Sequence, residues 1–236
     1  MKILITGGLG YIAGNMFRQY HNKHDFTLCD YTVSHPDLPL AHHLSYENIA
    51  EFDGVIHLAA LSGLFACEND PTLAVQENIL TAMNVFTHAT KAKIPVVFTS
   101  SQAAKEPKSS KYAFIKWACE QIASLYNQEG GMNYVIRLAN VYGGYGYLEK
   151  KQTCVKQFIT CYNTGYPLRV HGDGEQTRDF IHVIDVCRAI NNILDLRPFD
   201  NSPMDIGTGI STSIMGLVRM FQQKHHEHYE FVDGRN

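Results

Sequence analysis

Tyr112 and Lys116 stand four residues apart in "KYAFIKWACE", Lys111 to Glu120. On a helix that spacing sets a phenol and an ammonium one turn apart on one face. A free phenol titrates near 10, so a base working near pH 7 needs a shift of about 3 units, roughly 4 kcal/mol. An ammonium about 4 Å away supplies roughly that much at an effective dielectric near 20. The pair therefore suits proton transfer at a carbinol. An ordinary amphipathic helix with a snorkelling lysine has the same spacing, and the pair alone does not separate the two.

A second group of residues narrows the chemistry. "LITGGLGYIAG" (Leu4 to Gly14) follows the first apolar run and opens a helical pattern. Gly7 and Gly10 let backbone approach a pyrophosphate at a helix amino terminus, where free N–H groups and the dipole favour an anion. Ala13 stands where a third glycine is usual, and Gly14 follows. A purely structural turn is the alternative. Asp30, 20 residues after Gly10, ends the next apolar run in "LCDY" with no arginine beside it. A carboxylate there accepts from ribose hydroxyls and repels a 2′-phosphate, which favours NAD over NADP. With a nicotinamide in place, Lys116 can also hydrogen-bond its ribose, and the cationic ring adds to the pull on the phenol. "VVFTSSQAA" (Val96 to Ala104) brings the hydroxyls of Ser100 and Ser101 to a strand end. A hydroxyl there can polarise a substrate C–O group; a plain polar strand end is the other reading.

The elements that must position these groups alternate. Strand-like runs at 2–6, 26–29, 54–60, 95–100 and 134–138 are separated by helical patterns near 10–22, 72–92 and 110–128. Continuous apolar strands between helices predict a parallel sheet covered on both faces. Beyond residue 140 the texture changes to "NVYGGYGY", a helix near 152–163, a loop-and-strand region, a helix near 184–195, "MDIGTG" and a helix near 212–224. The expected organisation is a cofactor domain of 1–139 plus about 180–207, interleaved with a small substrate lobe of about 140–179 plus 208–236.

Bulk properties fit a soluble globular chain. Of 236 residues, 45% are hydrophobic and 18% charged, enough for a core. A net charge of -3 gives no electrostatic reason for nucleic acid or an anionic membrane as partner, and no apolar run reaches the length of a membrane span. Six scattered cysteines without a C-x-x-C pair are expected to be reduced, which favours a cytoplasmic location. His42-His43 and "HHEH" at 225–228 read as solvated surface, so no metal site is expected.

"TGGLGYIAG", "VIHLAA", "ENILTAMNVF", "FTSSQAA", "YAFIKWACEQ", "RLANVYG", "GDGEQTRDFIHVIDV" and "DIGTG" occur in this order from residue 3 to about 217. Together they resemble the extended short-chain dehydrogenase/reductase family, in the branch of NAD-dependent nucleotide-sugar epimerases and dehydratases. The resemblance implies an α/β fold: a Rossmann-type doubly wound parallel sheet with a small, truncated C-terminal substrate lobe. It implies that Gly7, Gly10, Tyr11 and Ile12 bind the pyrophosphate of NAD, Asp30 the adenosine ribose, and that Leu58, Ala59, Ala60 and Asn78 line the cofactor. It implies Ser101, Tyr112 and Lys116 as catalytic, and Asn140 and Arg178 as holders of a nucleotide-sugar diphosphate, a task that suits a planar guanidinium fork. An ion pair with Asp179 or Asp173 is the other reading of Arg178. The family commonly pairs through the Tyr/Lys helix and the one before it; Phe114, Trp117 and Ile122 are compatible with such a homodimer or with a core.

Departures from the family pattern shape the expected activity. Asp37-Leu38, seven residues after Asp30, stands for the turn that packs on adenine, so the helix between those strands reads as deleted. The loop between Ser101 and Tyr112 is short. The chain stops at "FVDGRN", where relatives continue, with Arg235 as the remnant of a further phosphate-binding arginine. Gln102 and Ala103 replace the acidic residues that dehydratases and decarboxylases carry after the hydroxyl, and neither shuttles a proton for elimination. The expectation is a 4-epimerase-like enzyme acting through a transient 4-keto sugar. A sugar dehydrogenase or reductase, or a non-catalytic NAD-binding sensor, are the alternatives.

Overall fold

The computed structural model describes residues 1–30, 46–144, 153–198, 200, 202–223 and 228–232. In chain order it contains β1 (Lys2–Thr6), α1 (Tyr11–Tyr20), β2 (Asp25–Cys29), β3 (Gly54–His57), α2 (Leu64–Asn69), α3 (Pro71–Val75), α4 (Thr81–Ala92), β4 (Pro95–Ser101), α5 (Lys111–Gln128), β5 (Met132–Leu138), β6 (Asn140–Tyr142), α6 (Cys154–Thr164), β7 (Leu168–His171), β8 (Thr177–His182), α7 (Val183–Leu196), β9 (Met204–Ile206), β10 (Ser211–Ser213), α8 (Ile214–Gln222) and β11 (Tyr229–Val232). Asp37-Leu38, His42-His43, His225 and Arg235 lie outside the described residues.

Six strands form one parallel sheet in the order β2-β1-β3-β4-β5-β9. Its two faces follow from the two-residue period of a strand. Ile3, Ile5, Leu28, Ile56, Val97 and Ile136 pack on α1 and α7, through Ala13, Met16, Val186 and Ile190. Leu4, Val55, Val96, Phe98 and Val135 face the other way, onto Val85, Phe86 and Ala89 of α4 and Ile115, Cys119 and Ala123 of α5. The sheet is thus doubly wound, as the alternation predicts. Strand order reverses at β1, so the crevice for a ligand opens beyond the carboxyl ends of β1 and β3.

The remaining strands form two smaller sheets, with Ile181 of β8 still packed in the core of the main sheet. β10, β8 and β6 form a three-stranded sheet, and β11 pairs with β7. Phe158, Leu168, Val170, Ile214, Leu217 and Val218 form a third core beneath them. Single-sequence patterns missed β6 and β10, which are only three residues long and owe their pairing to distant partners. The helix expected at 72–92 is broken into α3, a π-helical turn at Gln76–Leu80 and α4. Asp70 starts it, its carboxylate accepting from the Leu73 N–H at 2.9 Å ahead of Pro71. The π turn contains Asn78, and such turns often sit at functional positions.

Candidate active site

The glycine turn is shaped by close contacts. Gly7 has φ +68°, a left-handed conformation, and a Cβ there would lie 2.7 Å from the Ala59 amide nitrogen. The Gly10 N–H donates to the Gly7 carbonyl at 2.9 Å, closing the turn at the start of α1. Gly10 is the cap of α1 and brings no side-chain acceptor to it. The first N–H groups of the helix, those of Tyr11, Ile12 and Ala13, therefore face the site rather than a capping side chain. The phenol of Tyr11 leaves the turn and donates to the Gly143 carbonyl, tying α1 to the end of β6; burial pushes that phenol up to about 12. Asp30 sits beyond β2, its Oδ2 accepting from the Leu9 N–H at 2.9 Å.

Between turn and sheet lies a buried chain of polar groups. The Ala59 N–H donates to Thr6 Oγ1 at 3.3 Å, and Thr6 Oγ1 meets His57 Nδ1 at 2.6 Å. Burial, with Lys116 nearby, pulls His57 down to about 3, so the imidazole is neutral. These bonds hold Leu58, Ala59 and Ala60 against Gly7. Asn78 is buried; its Nδ2 donates to the Leu61 carbonyl at 3.2 Å, and its Oδ1 is left without a partner. Such an orphaned acceptor, a backbone cradle that any Cβ would fill and an uncapped helix amino terminus together fit a dinucleotide along this edge.

On the other side of the crevice α5 runs against β4. The Tyr112 phenol lies near enough to Ser101 to be lowered by that hydroxyl, and the Ser101 Oγ accepts from the Ala103 N–H at 3.2 Å. Lys116 is 4% exposed; its Nζ donates to the Thr99 carbonyl at 2.9 Å and lies 5.2 Å from the Phe98 ring centre. Ser100 and Ser101, equivalent in the sequence, separate here: Ser100 Oγ donates to Glu120 at 2.5 Å, and Ser101 meets the phenol. Among the chain's own groups the Tyr112 phenol stands above its ordinary value, because burial outweighs the lowering by Ser101. The ammonium of Lys116 donates to a carbonyl of β4.

Asn140 and Arg178 come from the three-stranded sheet. Asn140 is opposite Phe180 in the β6–β8 register, and Arg178 is opposite Thr212 in the β8–β10 register. Residues 178 and 180 share one face of β8, so Asn140, Arg178 and Thr212 line the same side. Arg178 is exposed and donates to the Thr177 carbonyl at 2.7 Å. Among the described residues it forms no ion pair. Asp179, on the opposite face, accepts from Thr208 and Gly209; burial raises its carboxyl, but those bonds prevail and hold it below the usual range.

The sequence reading missed Glu120. It is 2% exposed and bound by Arg137 through Nε and Nη2, at 2.6 Å for the shortest contact. A signal was present, since Tyr112, Lys116 and Glu120 repeat every four residues and share one stripe of α5. All six cysteines are free thiols. No metal-binding cluster is found among the described residues, and no described helix is long and apolar enough to cross a membrane.

Residues 3–207 match the sequence model of the NAD dependent epimerase/dehydratase family. The chain is 25% identical over 260 residues to a dTDP-4-dehydro-6-deoxy-D-allose reductase of Streptomyces bikiniensis, covering 92% of this chain and 79% of that protein. Its fold matches a UDP-glucose 4-epimerase of Thermotoga maritima, solved with UDP-glucose, at a TM-score of 0.84 and 25% identity, over 100% of this chain and 87% of the other. It also matches TunA, an NAD dependent NDP-hexosamine 5,6-dehydratase, at a TM-score of 0.86 and 25% identity, over 100% and 85%. Three different reactions on sugar nucleotides are thus represented among similar chains.

Proposed function

We propose that this chain, which belongs to the NAD dependent epimerase/dehydratase family, is a nucleotide-sugar 4-epimerase-like enzyme acting through a transient 4-keto sugar. The observation that carries the reading is Lys116, buried with its Nζ on the Thr99 carbonyl at the end of β4, one turn along α5 from Tyr112, whose phenol lies near enough to Ser101 to be lowered by it. Gly7, Gly10 and the N–H groups of Tyr11 and Ile12 would hold the pyrophosphate of NAD, and Asp30 its adenosine ribose. Leu58, Ala59, Ala60 and Asn78 would line it, while Tyr112 and Lys116 would hold the nicotinamide end. Bound NAD supplies a hydride acceptor for the first half-reaction, a hydride donor for the second, and a positive ring beside the phenol.

The chain's own groups handle the protons. Tyr112 takes the proton of the C4 hydroxyl as the C4–H bond breaks and a C4 carbonyl forms, and Ser101 donates to that oxygen. After the keto sugar turns over, Tyr112 or Ser101 returns the proton to the oxygen as the C–H bond re-forms on the other face. Gln102 and Ala103 offer no acid for eliminating water, which favours this outcome over dehydration. The small lobe, about 140–179 plus 208–236, would enclose the nucleotide sugar, against a cofactor domain of 1–139 plus about 180–207. A homodimer would pair through α5 and the helix before it: of Phe114, Trp117 and Ile122, Phe114 is exposed with Trp117 against its ring, whereas Ile122 packs on the core; light scattering that finds one protomer per particle removes this part.

Incubation with NAD and a panel of UDP-, GDP- and dTDP-sugars tests the reading. Isomerised product without net cofactor reduction supports it, whereas accumulation of reduced cofactor selects a dehydrogenase. Arg178→Ala is expected to weaken nucleotide-sugar binding by about tenfold, the loss of one charge-assisted phosphate contact, with NAD affinity unchanged. Equal losses for both ligands in calorimetry would return Arg178 to a structural role.

A further inference from the structure

Glu120 is a fully buried carboxylate that the proton chemistry does not use. It belongs to a set of three. Tyr112, Lys116 and Glu120 lie on one stripe of α5, and each meets one of three consecutive residues of β4: Ser101, the Thr99 carbonyl and Ser100. Long helical side chains lean toward the helix amino terminus, so Glu120 reaches back along the strand to Ser100 at 2.5 Å. Its carboxylate is then locked from the next strand by the two-pronged contact of Arg137, which stands opposite Ser100 in the β4–β5 register.

A buried ion pair is a poor source of net stability compared with apolar side chains of similar volume. α5 is also anchored at both ends by other bonds. Ser110 caps the helix, accepting from the Ala113 N–H at 3.1 Å, and Asn127 holds its far end to Asn133 of β5 at 2.8 Å. What the pair adds is direction: a fixed distance from a point on α5 to the residue next to Ser101. We propose that Glu120 is a positioning residue, which with Arg137 and Ser100 sets the axial placement of α5 on β4 and so keeps the Tyr112 phenol on Ser101. The inference rests on the reading of Tyr112 and Ser101 as the proton-handling pair.

The test compares Glu120→Gln with the double variant Glu120→Met/Arg137→Met. The single change leaves a guanidinium without its carboxylate and is expected to melt well below the native protein. In the double variant, apolar packing restores melting to near the native temperature, yet kcat falls by about tenfold with KM within about threefold, because misplacement costs rate more than binding. Its crystal structure is expected to show the Tyr112 phenol displaced from Ser101 relative to the native protein. A double variant with native kcat, or one that keeps the native spacing of Tyr112 and Ser101, overturns the proposal. If the native protein converts none of the sugar nucleotides, the functional reading fails, and the crystal structure of the double variant alone decides the role of Glu120.

Discussion

Tyr112→Phe lowers turnover by about three orders of magnitude while NAD affinity stays within about threefold. The change removes one oxygen and leaves the ring, which packs beside the α4–α5 core. What is lost is the phenol oxygen beside Ser101. Because burial raises that phenol, its anionic fraction is small near neutrality and grows about tenfold per pH unit below its pKa. The native enzyme's kcat/KM for sugar oxidation therefore climbs toward alkaline pH, and the residual rate of the variant does not follow that rise. Steady-state rates across pH, with calorimetry for NAD, check both parts. A variant that keeps native rates removes Tyr112 from the chemistry.

Gly7→Ala acts on the other half of the crevice and is expected to cut NAD affinity by more than about a hundredfold. At φ +68° an alanine is strained by about 1–2 kcal/mol. Its methyl group would also lie 2.7 Å from the Ala59 nitrogen and 2.9 Å from the Leu58 carbonyl carbon, both backbone atoms that cannot rotate away. Either the turn or the 58–60 segment has to move, and both belong to the proposed dinucleotide edge. We expect a stability loss of about 2–4 kcal/mol, seen as a lower denaturation midpoint, with the affinity loss larger than that destabilisation explains. Native NAD affinity in a folded Gly7→Ala protein would falsify the assignment of the turn.

The sheet was legible because its strands are buried on both faces and announce themselves as unbroken apolar runs, as in "KILIT" and "PVVFTS". Gly7 was legible because a tight turn after a strand leaves few residue types able to occupy it. Other parts were hidden for physical reasons. Ser100 and Ser101 are the same residue type in adjacent places; the resemblance singles out Ser101, but only the packing of α5 shows that Ser100 is taken up by Glu120. The direction of the Tyr112 shift depends on burial and on where Lys116 aims its ammonium, neither of which spacing encodes. β6, β8 and β10 hold together by pairing between segments about 40 and about 34 residues apart, beyond the reach of local periodicity.

The six apolar residues Phe158, Leu168, Val170, Ile214, Leu217 and Val218 share no member with the clusters on either face of the main sheet. Selection can therefore repack this cluster while the buried residues on both faces of the parallel sheet stay as they are.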